Sequence, residues 1–105
     1  MNAFLVGSRV YGTPREDSDI DLVVRIDHEQ AQMIRALADP PKGNDPVGVV
    51  RFGKLNLIIC ETDGGYEAWR EGMDEVMDEF RSGPVTRDRA MEIFHQYRAN
   101  YAAVG

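Results

Sequence analysis

Val6-Gly7-Ser8-Arg9-Val10-Tyr11-Gly12, followed after a polar connection by Asp19-Ile20-Asp21-Leu22-Val23-Val24, is the stretch that decides how this chain folds. Ahead of the glycine the apolar run Ala3-Phe4-Leu5-Val6 reads as a strand, and Ile20, Leu22, Val23 and Val24 read as a second. Alternate side chains of a strand share a face, so Asp19 and Asp21 project together while Ile20 and Leu22 project the other way. At about 3.3 Å of rise per residue the two carboxylates stand about 6 to 7 Å apart, and a cation between them relieves their repulsion. Hard oxygen donors suit Mg²⁺ or Mn²⁺, which keep several waters and take further ligands from phosphates. Gly7-Ser8 supplies the complement: a residue without Cβ lets the backbone approach a phosphate while amides and a hydroxyl donate to its oxygens. Taken singly, each piece favours a polar turn and a solvated strand face.

Outward from this stretch, the residues Gly7 to Gly12 read as a turn and Thr13 to Ser18 as a connection rich in Pro, Asp and Ser. The second strand runs from Asp19 to Ile26. Asp27 with Gln30 three residues on makes a capping box for a helix to Ala38, with Ala31, Ile34, Leu37 and Ala38 on its apolar face. Asp39-Pro40-Pro41 stops it, and Lys42 to Pro46 reads as a loop. Val47 to Phe52 and Leu55 to Glu61 form a strand pair around a tight turn at Gly53-Lys54. From Gly64-Gly65 the period turns helical, with Tyr66, Trp69, Met73, Val76, Met77 and Phe80 on one face as far as Ser82-Gly83-Pro84. Thr86 caps a last helix striped by Ala90, Ile93, Phe94, Tyr97 and Tyr101. Aromatic residues at these spacings read as core ahead of a stacking platform, and any surplus apolar face is an oligomer or partner surface. The expected architecture is α+β in two layers: a mixed sheet over residues 2–61, and a C-terminal helical pair over 65–103, with helices packed on one face.

The 105 residues, 43% hydrophobic and 29% charged, make one small soluble domain, without room for a separate substrate lobe. No apolar run approaches the length of a membrane span. Met1 leads almost directly into an apolar strand, so no export signal is expected and the cytoplasm is the expected location. The single cysteine, Cys60, ends an apolar run and reads as a small buried hydrophobe. A net charge of -6 argues against sequence-independent affinity for DNA or RNA, which depends on neutralising phosphates with Lys and Arg. A nucleotide carried with its metal is compatible with that charge, as is a basic protein partner.

Gly7-Ser8, ten intervening residues and Asp19-Ile20-Asp21, with Arg9 and Gly12 completing a Gly-Ser-x-x-x-Gly turn, resemble the minimal nucleotidyltransferases of the DNA polymerase β superfamily. The resemblance is strongest over residues 3–24 and fades beyond 61. It implies a polymerase β palm-like fold and a nucleoside triphosphate bound with Mg²⁺ or Mn²⁺. It also implies transfer of a nucleoside monophosphate to a hydroxyl, with pyrophosphate leaving. Carried over residue by residue, Asp19 and Asp21 are the metal ligands and catalytic carboxylates. Gly7 and Ser8 hold phosphates with Arg9 as a nearby charge partner, and Ser18, in the same nucleotide-binding group, caps the connection before the aspartates. The alternative for Arg9 is a surface pairing with Glu16 or Asp17. Family members of this size are often paired with a small helical protein.

Active members carry a third carboxylate on a later strand; in this sequence the corresponding position, in Leu55-Asn56-Leu57-Ile58-Ile59, is Asn56. An amide is neutral, ligates metal weakly through its carbonyl and is no base near neutral pH. Three outcomes stay open: Glu61 or Asp63 reaches in, a partner supplies the group, or nucleotide is bound without transfer. Strand alternation places Glu61 on the face opposite Asn56, against the first. Arg51 and Lys54 flank the strand turn, where a solvated hairpin tip is the favoured reading over contact with a triphosphate. Beside the transferase stand a catalytically impaired binding module and a small α+β domain that only resembles the family.

Overall fold

The computed structural model describes residues 2–40 and 49–104, the last four as backbone alone. The loop expected at Lys42 to Pro46, the start of the strand expected from Val47 and the Tyr101 side chain lie outside the described residues. Strands β1 (Asn2–Val6), β2 (Ile20–Arg25), β3 (Val49–Phe52) and β4 (Leu55–Cys60) form one mixed sheet in the order β1-β2-β4-β3. The outer pairs are antiparallel and the central pair β2–β4 is parallel. A parallel pair requires a crossover, and helix α2 (His28–Leu37) lies within it, started by the predicted Asp27–Gln30 capping box. Its end is tied to the β3–β4 hairpin, where the Gly53 amide donates to Asp39 Oδ2 at 2.7 Å.

Gly7 to Gly12, expected as a turn, contains a single helical turn, α1 (Ser8–Tyr11), in which the Val10 and Tyr11 amides donate to the Gly7 carbonyl. Helix α3 (Asp63–Phe80) starts at Thr62, whose hydroxyl accepts from the Gly65 amide, and α4 (Arg87–Val104) starts at Thr86, whose hydroxyl accepts from the Arg89 amide. The two cross closely at Gly72, where a Cβ would come within 2.7 Å of Phe94 Cδ1.

The α+β architecture is the expected one, but its cover differs from the expectation. Helices α3 and α4 share a face of the sheet with Val6, Val23 and Cys60, in a core built on Trp69, Val76, Ile93 and Phe94. Helix α2 lies on the opposite face, where Ala31 packs with Val24 and Ile26 beside Leu22, Leu57 and Ile59. The cause is the unbroken apolar run Leu22-Val23-Val24, which gives β2 two apolar faces, each of which needs a cover. Trp69 and Phe94 are core residues, their ring centroids 4.6 Å apart. Cys60 is buried, which pushes its thiol up against the opposing pull of Arg98 and Arg25.

Glu61, following β4, anchors α2 by accepting from His28 Nδ1 at 2.6 Å and Arg35 at 3.3 Å. The His28 hydrogen bond, ahead of Arg35, holds the Glu61 carboxyl below its ordinary range. A carboxyl held low in the folded chain adds stability above its unfolded pKa and loses it as pH falls through the folded value. Glu61→Gln is therefore expected to lower the Tm at neutral pH, with the difference closing once the pH is taken below the carboxylate range. A pH-independent difference would reject the anchor.

Candidate functional site

The sheet register places Val6 opposite Asp21, Asp21 opposite Asn56, and Asn56 opposite Arg51, one row running across all four strands. Asp19, just ahead of β2, lies two residues from Asp21 and shares its face. The Asn56 amide bridges the two carboxylates: Nδ2 donates to Asp21 Oδ1 at 2.9 Å and to Asp19 Oδ2 at 3.2 Å. Arg51 Nη1 donates to the same Asp19 oxygen at 3.2 Å. Asn56 is thus where a third ligand is expected, and it is buried.

Gly7 sits at the end of β1 with φ 91, and a Cβ there would run into the Asp21 carboxylate. Glycine thereby lets the chain turn while the backbone touches the site. At Gly12 a Cβ would lie 2.8 Å from Ser8 Cα, so this second glycine permits the close return that keeps Ser8 at the cleft. The cleft, of about 990 Å³, is lined by Gly7, Ser8, Ser18, Asp19, Asp21 and Asn56, with Arg87, Met91 and Arg98 of α4 on its far wall.

Arg9 is placed differently from the other sequence-derived residues. Its guanidinium donates to the Ser18 carbonyl at 2.7 and 2.9 Å and to the Glu16 carbonyl at 3.2 Å, so it clamps the connection that delivers Asp19. The pairing partners are backbone carbonyls, where the carboxylates of Glu16 or Asp17 were the expected ones. Ser18 has the expected capping role, its hydroxyl accepting from the Arg15 amide at 2.7 Å. Neither acidic substitute reaches the row: Glu61 is held by His28 and Arg35, and Asp63 pairs with Arg25 at 2.9 Å beyond the other end of β2.

Two residues had no place in the sequence-derived site. The expectation of a solvated hairpin tip holds for exposed Lys54 but not for Arg51, whose side chain is 19% exposed and faces the aspartates. The pairing count from the Gly53-Lys54 turn carries the signal for it. Tyr11 lies buried in the cleft wall, its hydroxyl pushed up by burial and by the Asp21 charge against a backbone hydrogen bond at Gly7.

Among the described residues no group of three or more His, Cys, Asp or Glu side chains is assembled for a metal. The donor set still fits one hard divalent ion. Two carboxylates share a face, and Asn56 Oδ1 is buried with no hydrogen-bond partner among the described residues, an acceptor that amide rotation turns toward the same carboxylates.

A four-stranded mixed sheet presenting carboxylates beside a glycine-serine turn, open to a cleft, defines a nucleotidyltransferase-like protein. Residues 2–72 match the family model of the nucleotidyltransferase domain, and the chain belongs to that family. No curated protein and no solved structure matches it. The match ends within α3, so α4 and its cleft-facing arginines lie outside the family region.

Proposed function

We propose that the chain binds a nucleoside triphosphate with Mg²⁺ or Mn²⁺ and transfers a nucleoside monophosphate to a hydroxyl of a protein, nucleic acid or small molecule. The carrying observation is the row in which Asp21 and Asn56 stand side by side, with Asp19 on the same face. Asp19 and Asp21 would hold the ion, and Gly7 and Ser8 would receive the phosphates. The bound ion would neutralise phosphate charge and orient the triphosphate. The acceptor hydroxyl oxygen bonds to the α-phosphorus as the bond to pyrophosphate breaks, and the hydroxyl proton passes to a carboxylate of the aspartate pair or to water. Family resemblance adds a small helical protein as a partner class. Among the described residues, no helix is long and apolar enough to cross a membrane.

A second reading, a module that binds nucleotide without transferring it, is favoured by one observation: Asn56 occupies the row where a third carboxylate would stand. Incubating the pure protein with each labelled nucleoside triphosphate and Mg²⁺ or Mn²⁺ separates the two. Transfer of label to the chain or to a supplied acceptor is the expected result. A raised Tm without transfer supports the binding module, and neither effect with any nucleotide removes both readings.

A further inference from the structure

Resting on the metal-nucleotide reading above, we infer that Arg87 of α4 binds the β- and γ-phosphates of the nucleoside triphosphate, completing the phosphate site from outside the family region. Arg87, Met91, Phe94 and Arg98 recur at helical spacing, so they share one face of α4, and all of them line the cleft. Phe94 is buried in the core and fixes that face toward the sheet. The two arginines of the face differ in how they are engaged. Arg98 stands over the Trp69 ring at 5.5 Å, whereas Arg87 makes no hydrogen bond, ion pair or ring contact among the described residues. Arg89, in the same turn, lies outside the cleft lining and is held by Glu79 at 2.9 Å and Glu92 at 2.7 Å. In a chain with a net charge of -6, Arg87 is thus left facing the cleft wall that carries Asp19 and Asp21.

The backbone fixes where Arg87 stands. The Val85 amide donates to the Tyr11 carbonyl at 2.7 Å and the Tyr11 amide to the Gly7 carbonyl at 3.3 Å, which ties the start of α4 to the glycine-serine turn. Arg87 therefore serves the phosphates that Gly7 and Ser8 would receive; Arg98, about 16 Å further along the helix, does not. The charges favour such a group. A divalent ion cancels only part of the triphosphate charge, and the aspartates repel what remains, so phosphate oxygens not bound to metal are pushed toward the opposite wall. A guanidinium there can donate two parallel hydrogen bonds to a phosphate.

The test is isothermal titration of the protein with Mg²⁺ and ATP, GTP, CTP or UTP, and with the matching monophosphates. Arg87→Gln is expected to weaken binding of the tightest triphosphate about ten-fold, through loss of a charge-assisted hydrogen-bond pair, and of its monophosphate less than about two-fold. Arg87→Lys, which keeps the charge without the planar fork, is expected to fall between wild type and Arg87→Gln. Arg89→Gln, which removes the same charge outside the cleft, is expected to stay within about two-fold of wild type. Circular dichroism melts check folding, and Arg87→Met replaces Arg87→Gln if the latter does not fold. Unchanged triphosphate affinity in the folded neutral variant, an equal loss in Arg89→Gln, or an equal loss for the monophosphate overturns the inference and leaves the proposed function standing. A wild type that binds no triphosphate removes both.

Discussion

Asp21→Ala is expected to abolish metal-supported nucleotide binding and to reduce any transfer by about 10³-fold, the several kcal/mol that a metal-held charge contributes at a phosphoryl centre. Asp21 stands inside the row that crosses the sheet, between Val6 and Asn56. It receives the Asn56 amide at 2.9 Å, lies opposite Val6 across the β1–β2 ladder and packs its carboxylate against the space that Gly7 leaves open. Removing it deletes one of the two carboxylates that the Asn56 amide bridges. The fold is expected to survive, since the change also removes a charge from beside Asp19. Asp21→Asn serves as the control for shape: it keeps the volume against Gly7 but loses the charge, so it should behave as the alanine variant in nucleotide binding. Isothermal titration with the metal-nucleotide and a parallel urea melt check both halves. Unimpaired binding by either folded variant would show that the nucleotide is held elsewhere.

The largest effect on stability is expected from Phe94→Ala, a loss of about 3–5 kcal/mol. Phe94 is 1% exposed and lies against Trp69 at 4.6 Å and Tyr11 at 6.5 Å between ring centroids, with Gly72 of α3 pressed onto its ring. The site cannot readily collapse to fill the gap, because Gly72 has no side chain to advance and the neighbouring Trp69 and Tyr11 are themselves buried in the same core. Such a loss is a large part of the roughly 5–15 kcal/mol that a domain of this kind possesses. Urea denaturation measures it, and Phe94→Leu should recover most of the difference. A loss under about 1.5 kcal/mol, the range of volume-conserving swaps, would mean that α4 is not packed as described. Because α4 carries Arg87, Met91 and Arg98 on the far wall of the cleft, the same substitution should weaken nucleotide binding without touching the aspartates.

The part of this molecule that could be read in advance is the part governed by period. Asp19 and Asp21 share a face because strands alternate, the Asp27–Gln30 box starts a helix because its two side chains reciprocally satisfy amides, and the Trp69 to Phe80 stripe is core because its spacing is helical. What was not read depends on pairing between segments. Arg51 stands two residues before the hairpin turn, and only the register, Phe52 on Leu55 and Arg51 on Asn56, shows that it crosses the sheet toward Asp19. The Arg9 clamp rests on carbonyls of an irregular connection, whose directions no periodicity encodes. Helix α2 on the second face follows from three consecutive apolar residues in β2, a signal present in the sequence but outweighed by the alternation beside it.

Since the row Val6–Asp21–Asn56–Arg51 draws one residue from each strand, the site exists only when every pairing in the sheet is in register. A slip of a single residue in any ladder turns one member to the opposite face. A ligand gripping that row therefore recognises the completed sheet and no partly assembled form of it, and it stabilises the native chain by an amount set by its concentration relative to its dissociation constant. A nucleotide held there, as proposed, would favour only the chain in which every strand pairing is formed.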